Sequence, residues 1–92
     1  MRFTVIYHEA VAKEDIPKLS SEWPQNIRLA IEGKLTVQPE VFGKPLRRSL
    51  KGYRKLRVGD YRVIFRIEVN TVIIFLIAHR SIVYKKTYKR IS

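Results

Sequence analysis

The strongest constraint on the fold is a Gly-Asp pair at positions 59 and 60, which separates two segments of alternating apolar and polar residues. A pair of this kind between two such segments is typical of a two-residue β-hairpin turn. In that hairpin Val58 lies opposite Tyr61, and every two positions whose numbers add to 119 face each other. The sequence therefore predicts an antiparallel hairpin with a defined register.

This register sorts the side chains onto two faces, because opposite residues project to the same side of a sheet. One face is apolar and is the expected core: Leu56, Val58, Tyr61, Val63 and Phe65. The other face, called here the cationic face, carries Tyr53, Lys55, Arg57, Arg62, Ile64 and Arg66. We expect no carboxylate on it, and paired guanidiniums suit a phosphate. A solvated outer face is the alternative interpretation.

The net charge of +11 is concentrated in the same half of the chain. Residues 1–43 hold five basic and six acidic side chains, whereas residues 44–92 hold 14 basic and two acidic ones. This asymmetry indicates an anionic partner, with nucleic acid as the favoured class.

The remaining segments predict an α+β fold in a single domain, residues 1–92. A strand at 2–7 precedes a helix at 10–16 that ends near Pro17, and a second helix is capped by Ser20 or Ser21, with Pro24 in its first turn. This two-helix hairpin buries Trp23, Ile27, Ala30, Ile31 and Leu35, and residues 36–49 form a loop. The β pattern from 50 to 78 gives a three-stranded antiparallel meander, and a short C-terminal helix or an extended tail covers 81–91.

Several classes of protein are excluded by composition. The chain has no cysteine, which excludes disulfides and thiolate zinc sites, and its two histidines stand 71 positions apart. We therefore expect no metal and no cofactor. The longest apolar run, from Val72 to Ala78, is too short to span a membrane, and the N-terminus has no signal-peptide pattern. The expected location is the cytoplasm.

The apolar run is expected to form a central strand covered on both faces. If Val69 and Asn70 form a second tight turn, this strand ends beside Tyr61 and Arg62. His79 and Arg80 then emerge near the cationic face, with Tyr84 four residues beyond Arg80. Lys, Arg, Tyr and His groups suffice for metal-free RNA cleavage, since the ribose 2′-OH supplies the nucleophile.

Two motifs resemble the RelE/ParE toxin superfamily of type II toxin–antitoxin systems. They are LKGYRKLRVGDYRVIF at 50–65 and AHRSIVY at 78–84. The resemblance covers essentially the whole chain and implies a RelE-like fold. In the RelE-like branch it implies a ribosome-dependent endoribonuclease that cleaves mRNA in the A site by 2′-OH transesterification without metal. It also implies a cognate antitoxin, which wraps the toxin with an acidic or amphipathic segment, and a 70S-type ribosome as partners.

The resemblance also assigns roles to residues. Arg62 contacts the scissile phosphate, Arg80 stabilises the transition state, Lys55 transfers protons or stabilises charge, and Tyr84 stacks on a base or assists proton transfer. The general base stays open among Lys55, Tyr84 and His79. The other basic and aromatic groups of the motifs and hairpin are assigned to substrate binding: Arg57, Tyr53, Arg54, Arg66, His79 and Lys51.

Two alternatives follow from the same features. The ParE branch shares the fold but inhibits DNA gyrase, and a non-catalytic RNA- or DNA-binding module would be equally basic. The presence of Arg62, Arg80 and Tyr84 together with Lys55 and Arg57 favours the nuclease.

Overall fold

The computed structural model describes residues 2–20 and 22–91 and confirms the α+β fold. Its centre is a five-stranded sheet in the order β1-β5-β4-β3-β2. The strands are β1 (Thr4–Tyr7), β2 (Lys44–Pro45), β3 (Arg54–Val58), β4 (Tyr61–Glu68) and β5 (Thr71–His79). The edge strand β1 is parallel to β5, and the other neighbours are antiparallel, including the predicted meander β3-β4-β5.

The helical segments flank this sheet. A π-helical segment, Val11–Asp15, continues into a 3₁₀ turn, Ile16–Lys18. The helix α1 (Trp23–Ala30) continues into a second π-helical segment, Ile31–Leu35. The others are α2 (Pro39–Phe42), a 3₁₀ turn at Arg48–Leu50, and α3 (Val83–Ile91). Among the described residues, no helix combines the length and apolar character needed to cross a membrane.

Two predictions about local structure need correction. The segment 36–49 is not a plain loop, because Pro39 starts the short helix α2 and Lys44 pairs with Lys55 to add the strand β2. The predicted serine cap is not formed by Ser20, since α1 begins after Glu22 without a side-chain cap, although Pro24 does lie in its first turn. Ser21, the other candidate, lies outside the described residues.

The predicted hairpin register is confirmed. Val58 pairs with Tyr61 and Arg57 with Arg62, and Gly59 has a positive φ of 59° in the turn. The second turn, at Val69 and Asn70, is also present and places the end of β5 beside the start of β4. A β-bulge between Ile64 and Phe65 shifts the register with β5.

The core has two parts, one on each face of the sheet. The larger part lies under the N-terminal helices and contains Ile27, Ile31 and Leu35, which were predicted to be buried, with Trp23 and Ala30 packed against it. The smaller part lies under α3: Ile64, Leu76, Ala78 and Val83. Strand β5 contributes to both parts, which confirms that it is covered on both faces.

A buried ion pair between Asp15 and Arg90, called here the clamp, joins the two ends of the chain. The Asp15 side chain is 1% exposed and that of Arg90 is 14% exposed. Two guanidinium nitrogens donate to the two carboxylate oxygens at 2.8 and 2.9 Å. These hydrogen bonds raise the pKa of Arg90, which keeps its charge.

The clamp also completes the backbone hydrogen bonding of β5. Pairing with β1 ends where His8 donates to the Ile74 carbonyl, and beyond that point the Ile77 N–H donates to Asp15 at 2.9 Å. Arg90 donates to the Phe75 carbonyl at 3.0 Å. The clamp therefore holds the C-terminal end of α3 against the part of β5 that extends beyond β1.

Candidate active site

An open cleft of about 410 Å³ lies between the cationic face of the hairpin and the start of α3. All four residues predicted to be catalytic line it. Its lining is Lys55, Arg62, His79, Arg80, Ser81, Val83 and Tyr84. These residues come from β3, β4, the end of β5, the turn after it and α3, so the cleft exists only when the sheet and α3 are assembled.

The sheet register explains how the cleft forms. Arg62 pairs with Ala78, and Tyr61 pairs with His79, so β5 ends at the turned end of the hairpin. There the Arg80 N–H donates to the Asp60 carbonyl at 2.8 Å, which fixes the exit of the chain. The chain then turns and enters α3 at Val83, whose buried side chain covers Ile64 and Ala78.

Lys55 and Tyr84 are joined directly across the cleft. The Lys55 Nζ donates to the Tyr84 hydroxyl oxygen at 2.7 Å, and it lies 5.4 Å from the centroid of the ring. Because the phenolic oxygen accepts this bond, its own hydrogen is free to point elsewhere in the cleft.

The side chains of the two cleft arginines have different partners. The Arg62 Nη1 donates to the carbonyl oxygens of Gly59 and Tyr61, both at 2.9 Å. The Arg80 Nε lies 3.9 Å from the Asp60 carboxylate, in a pair whose side chains are both more than 60% exposed. Such an exposed pair is weak. The described residues that line the cleft include no carboxylate, so its three cations are available to an anion.

His79 lies at the rim of the cleft, on the side of Tyr61. Its ring packs edge-on against the Tyr61 ring, with the ring centroids 5.6 Å apart. The Tyr61 ring in turn packs against Trp23, with a centroid distance of 4.8 Å. The His79 Nδ1 lies 2.8 Å from the Ser81 hydroxyl and 3.2 Å from the Ser81 N–H. A backbone N–H can only donate, so in this contact Nδ1 accepts and Nε2 carries the ring hydrogen.

The residues assigned to substrate binding are spread over more of the surface than expected. Arg57 is exposed and stands opposite Arg62, next to the cleft. Arg66 lies elsewhere, over the Tyr53 ring, and forms an ion pair with Glu68. The expectation that the cationic face has no carboxylate is therefore wrong, because Glu68 follows Arg66 by two positions on the same strand.

The structure also separates Lys51, Tyr53 and Arg54 from the cleft. All three line another recess, of about 490 Å³. Arg54 pairs with Phe65, so it belongs to the helix-covered face, where its guanidinium donates to the Glu40 and Gly43 carbonyls at 3.3 and 2.9 Å. Tyr53 packs against Phe75 at 5.1 Å.

Sequence reasoning missed two parts of the cleft lining. Ser81 fixes the orientation of the His79 ring, and Val83 closes the cleft floor. Both residues belong to the C-terminal motif at 78–84, so the motif could have indicated that they are part of the site. No group of three or more His, Cys, Asp or Glu side chains that could hold a metal occurs within residues 2–20 and 22–91.

Comparison with known proteins identifies the family. Residues 5–84 match the family model described as the ParE toxin of the type II toxin–antitoxin system, parDE. The chain belongs to the RelE/ParE toxin superfamily. This finding confirms the resemblance that the two motifs indicated.

Two curated relatives of this RelE/ParE toxin come from Mycobacterium tuberculosis. The chain is 36% identical over 91 residues to the toxin RelG, covering 94% of this chain and 100% of RelG. It is 38% identical over 88 residues to the toxin RelE, covering 86% of this chain and 87% of that toxin.

Solved structures of related toxins share the fold. A chain of the M. tuberculosis RelBE2 toxin–antitoxin complex superposes with a TM-score of 0.81 at 33% identity, covering 87% of this chain and 100% of that one. A chain of the Methanococcus jannaschii RelB–RelE complex has a TM-score of 0.65 at 20% identity, with 88% and 96% covered. The Escherichia coli RelE mutant bound to a RelB peptide gives 0.60 at 22%, with 95% of each chain covered.

Proposed function

We propose that this toxin is an endoribonuclease that cleaves mRNA in the ribosomal A site. The observation that carries the proposal is the Lys55–Tyr84 hydrogen bond in a cleft that also contains Arg62 and Arg80. It puts two groups able to move protons beside two groups able to stabilise a negatively charged phosphorane.

The proposed reaction is an in-line transesterification. The ribose 2′-OH gives its proton to the general base and attacks the adjacent phosphorus, the bond from phosphorus to the 5′-oxygen breaks, and that oxygen takes a proton from the general acid. The products are a 2′,3′-cyclic phosphate and a 5′-hydroxyl. Arg62 and Arg80 bind the non-bridging phosphate oxygens, for which their planar donor sets are suited.

Lys55 and Tyr84 act as the proton-transfer pair in this proposal. The Tyr84 hydroxyl accepts from Lys55 and can donate its own hydrogen to the departing oxygen. The general base is open between this pair and His79, whose ring lies at the rim. The ribosome supplies the orientation of the nucleotide, so cleavage of free RNA is expected to be weak.

The test is to map the 5′ ends of translated messages after induction of each variant. Arg62→Ala and Arg80→Ala should each lower cleavage about 100- to 1000-fold, the effect of removing one donor to a developing charge. Arg66→Ala is the matched control, since this arginine lies on the same strand and pairs with Glu68 outside the cleft. Equal cleavage by all variants would overturn the site.

The second candidate function is inhibition of DNA gyrase. It is favoured by one observation, the match to a family model described by the ParE toxin. This function predicts growth arrest with loss of supercoiling and intact messages, so the same induced cultures separate the two functions. A non-catalytic nucleic-acid-binding module predicts neither effect.

We also propose an antitoxin partner with an amphipathic segment. Structures of relatives were solved as complexes with RelB antitoxins or a RelB peptide. In this chain a groove of about 680 Å³ between β1 and the N-terminal helices has a mainly apolar lining that includes Ile16, Leu19 and Ile27. Burial raises the pKa of Tyr7, which lines the same groove.

This partner can be tested with the protein encoded next to the toxin gene. That protein should co-purify with the wild-type toxin. The substitution Leu19→Lys in the groove should weaken the complex, whereas Leu29→Lys, at an exposed position outside the groove lining, should not. Equal recovery with both variants would contradict the groove as the binding surface.

A further inference from the structure

A second recess, of about 330 Å³, continues directly from the cleft. The two concavities share Lys55 and Tyr84. The second recess is also lined by Lys44, Leu46, Arg47 and Tyr88. An RNA strand bound in the cleft would therefore extend past Tyr84 into this recess.

The recess is formed by the edge strand β2 and one face of α3. Lys44 pairs with Lys55 across β2 and β3, and the Leu46 N–H donates to the Tyr53 carbonyl at 2.9 Å, so the segment is fixed by the backbone. Tyr88 follows Tyr84 by four positions in α3, which puts both rings on one side of the helix. Tyr88 is 49% exposed and Tyr84 is 40% exposed.

The chemistry of the recess matches a nucleotide. Two cations, Lys44 and Arg47, stand beside exposed aromatic rings, and within residues 2–20 and 22–91 no carboxylate lines the recess. Cations that follow a phosphate backbone and aromatic rings that stack on bases are the two features of single-strand binding sites. The spacing of the two tyrosines, one helical turn, gives one ring to each of two consecutive bases.

We propose that this recess binds the nucleotide next to the cleaved phosphate. Tyr88 stacks on its base, and Lys44 and Arg47 bind its phosphate. The inference rests on the proposed endoribonuclease function and adds a second subsite to it. An acidic protein segment would also be attracted by the cations, but the continuity with the cleft through Lys55 and Tyr84 favours RNA.

The decisive experiment combines variants of Tyr88 with abasic substitutions in a ribosome-bound message. In the wild-type toxin, removing the base of the nucleotide that occupies the recess should lower the cleavage rate about tenfold. Tyr88→Leu should lower cleavage of the intact message by a similar factor and should no longer respond to the abasic substitution. Tyr88→Phe keeps the ring and should behave like the wild type.

The charge of the recess is tested with the double variant Lys44→Gln/Arg47→Gln. It should lower cleavage about tenfold. The control with the same net charge is Lys18→Gln/Lys85→Gln, at exposed positions outside both concavities, and it should change cleavage less than twofold.

The outcomes separate the subsite from the function on which it rests. If the wild type cleaves and Tyr88→Leu keeps its sensitivity to the abasic substitution, the subsite is overturned alone. If the recess variants lower only the affinity for the antitoxin and leave cleavage unchanged, the recess is a protein-binding surface and the subsite is likewise overturned. If the wild type does not cleave at all, both proposals fail together.

Discussion

The clamp and the cleft both contain arginine, but the partners of the guanidinium differ between them. Arg90 is nearly buried and meets the Asp15 carboxylate with two short hydrogen bonds. Arg62 donates to two backbone carbonyls in an open cleft with two further cations. A guanidinium satisfied by an internal carboxylate stabilises the fold, whereas one left without an anion can bind a substrate phosphate.

The comparison also shows how the two regions depend on each other. The clamp holds the C-terminal end of α3, while Tyr84 in the first turn of the same helix reaches Lys55. The clamp therefore adds to the packing of Val83 in holding α3, whereas the cations of the cleft repel one another.

The largest effect is expected from breaking the clamp. Asp15→Ala removes the buried carboxylate that accepts two hydrogen bonds from Arg90 and leaves the Ile77 N–H without this acceptor, so the free energy of unfolding should fall by about 3–5 kcal/mol. Urea denaturation measures this change. The control is Glu14→Gln, since Glu14 is exposed and 3.9 Å from Arg90, and it should cost less than about 0.5 kcal/mol. Similar losses for both variants would contradict a special role of Asp15.

In the cleft, removing a cation should affect activity and leave stability unchanged. Lys55→Met keeps the length of the side chain but removes the donor to Tyr84, so mRNA cleavage should fall about 100-fold, as for the loss of a proton-transfer group. The free energy of unfolding should stay within about 0.5 kcal/mol. Lys51→Met, outside the cleft, is the control for cleavage. A large loss of stability in Lys55→Met would show that the cleft, like the clamp, is structural.

The smallest effect concerns the like charges that face each other across the hairpin. Arg57→Gln removes repulsion with Arg62 and should raise the free energy of unfolding by about 0.2–1 kcal/mol at low ionic strength. The gain should disappear in 1 M salt, which screens exposed charges. Arg66→Gln should have the opposite sign because it breaks the pair with Glu68. Destabilisation by Arg57→Gln would mean that Arg57 already has an internal partner.

Much of the fold could be predicted because its signals are local. The alternation around Gly59 and Asp60 fixed the β3–β4 register, and the turn at Val69 then placed His79 and Arg80 beside Arg62. The catalytic candidates were found together for the same reason, since Lys55 and Arg62 lie in the meander and Arg80 directly follows its last strand. Their chemical roles remain predictions.

The prediction errors have two causes. One is pairing between segments that are distant in sequence, and the other is a basic residue that was assigned from its charge and not from its position in the strand. The strand β2 was missed because two residues have no periodicity, and its existence depends on pairing with β3. Arg54 looked like another cation of the motif, but its position opposite Phe65 turns it to the other face of the sheet.

The sequence by itself determined the hairpin, the sorting of its two faces, the basic half of the chain and the family. Each of these follows from neighbouring residues, through turn chemistry, the two-residue period of a strand or a contiguous motif. The tertiary structure alone decided that Asp15 meets Arg90 and that Tyr84 meets Lys55, across 75 and 29 positions. Both contacts depend on how α3 packs on the sheet. A local pattern shows which face of an amphipathic helix is apolar but not where that face packs.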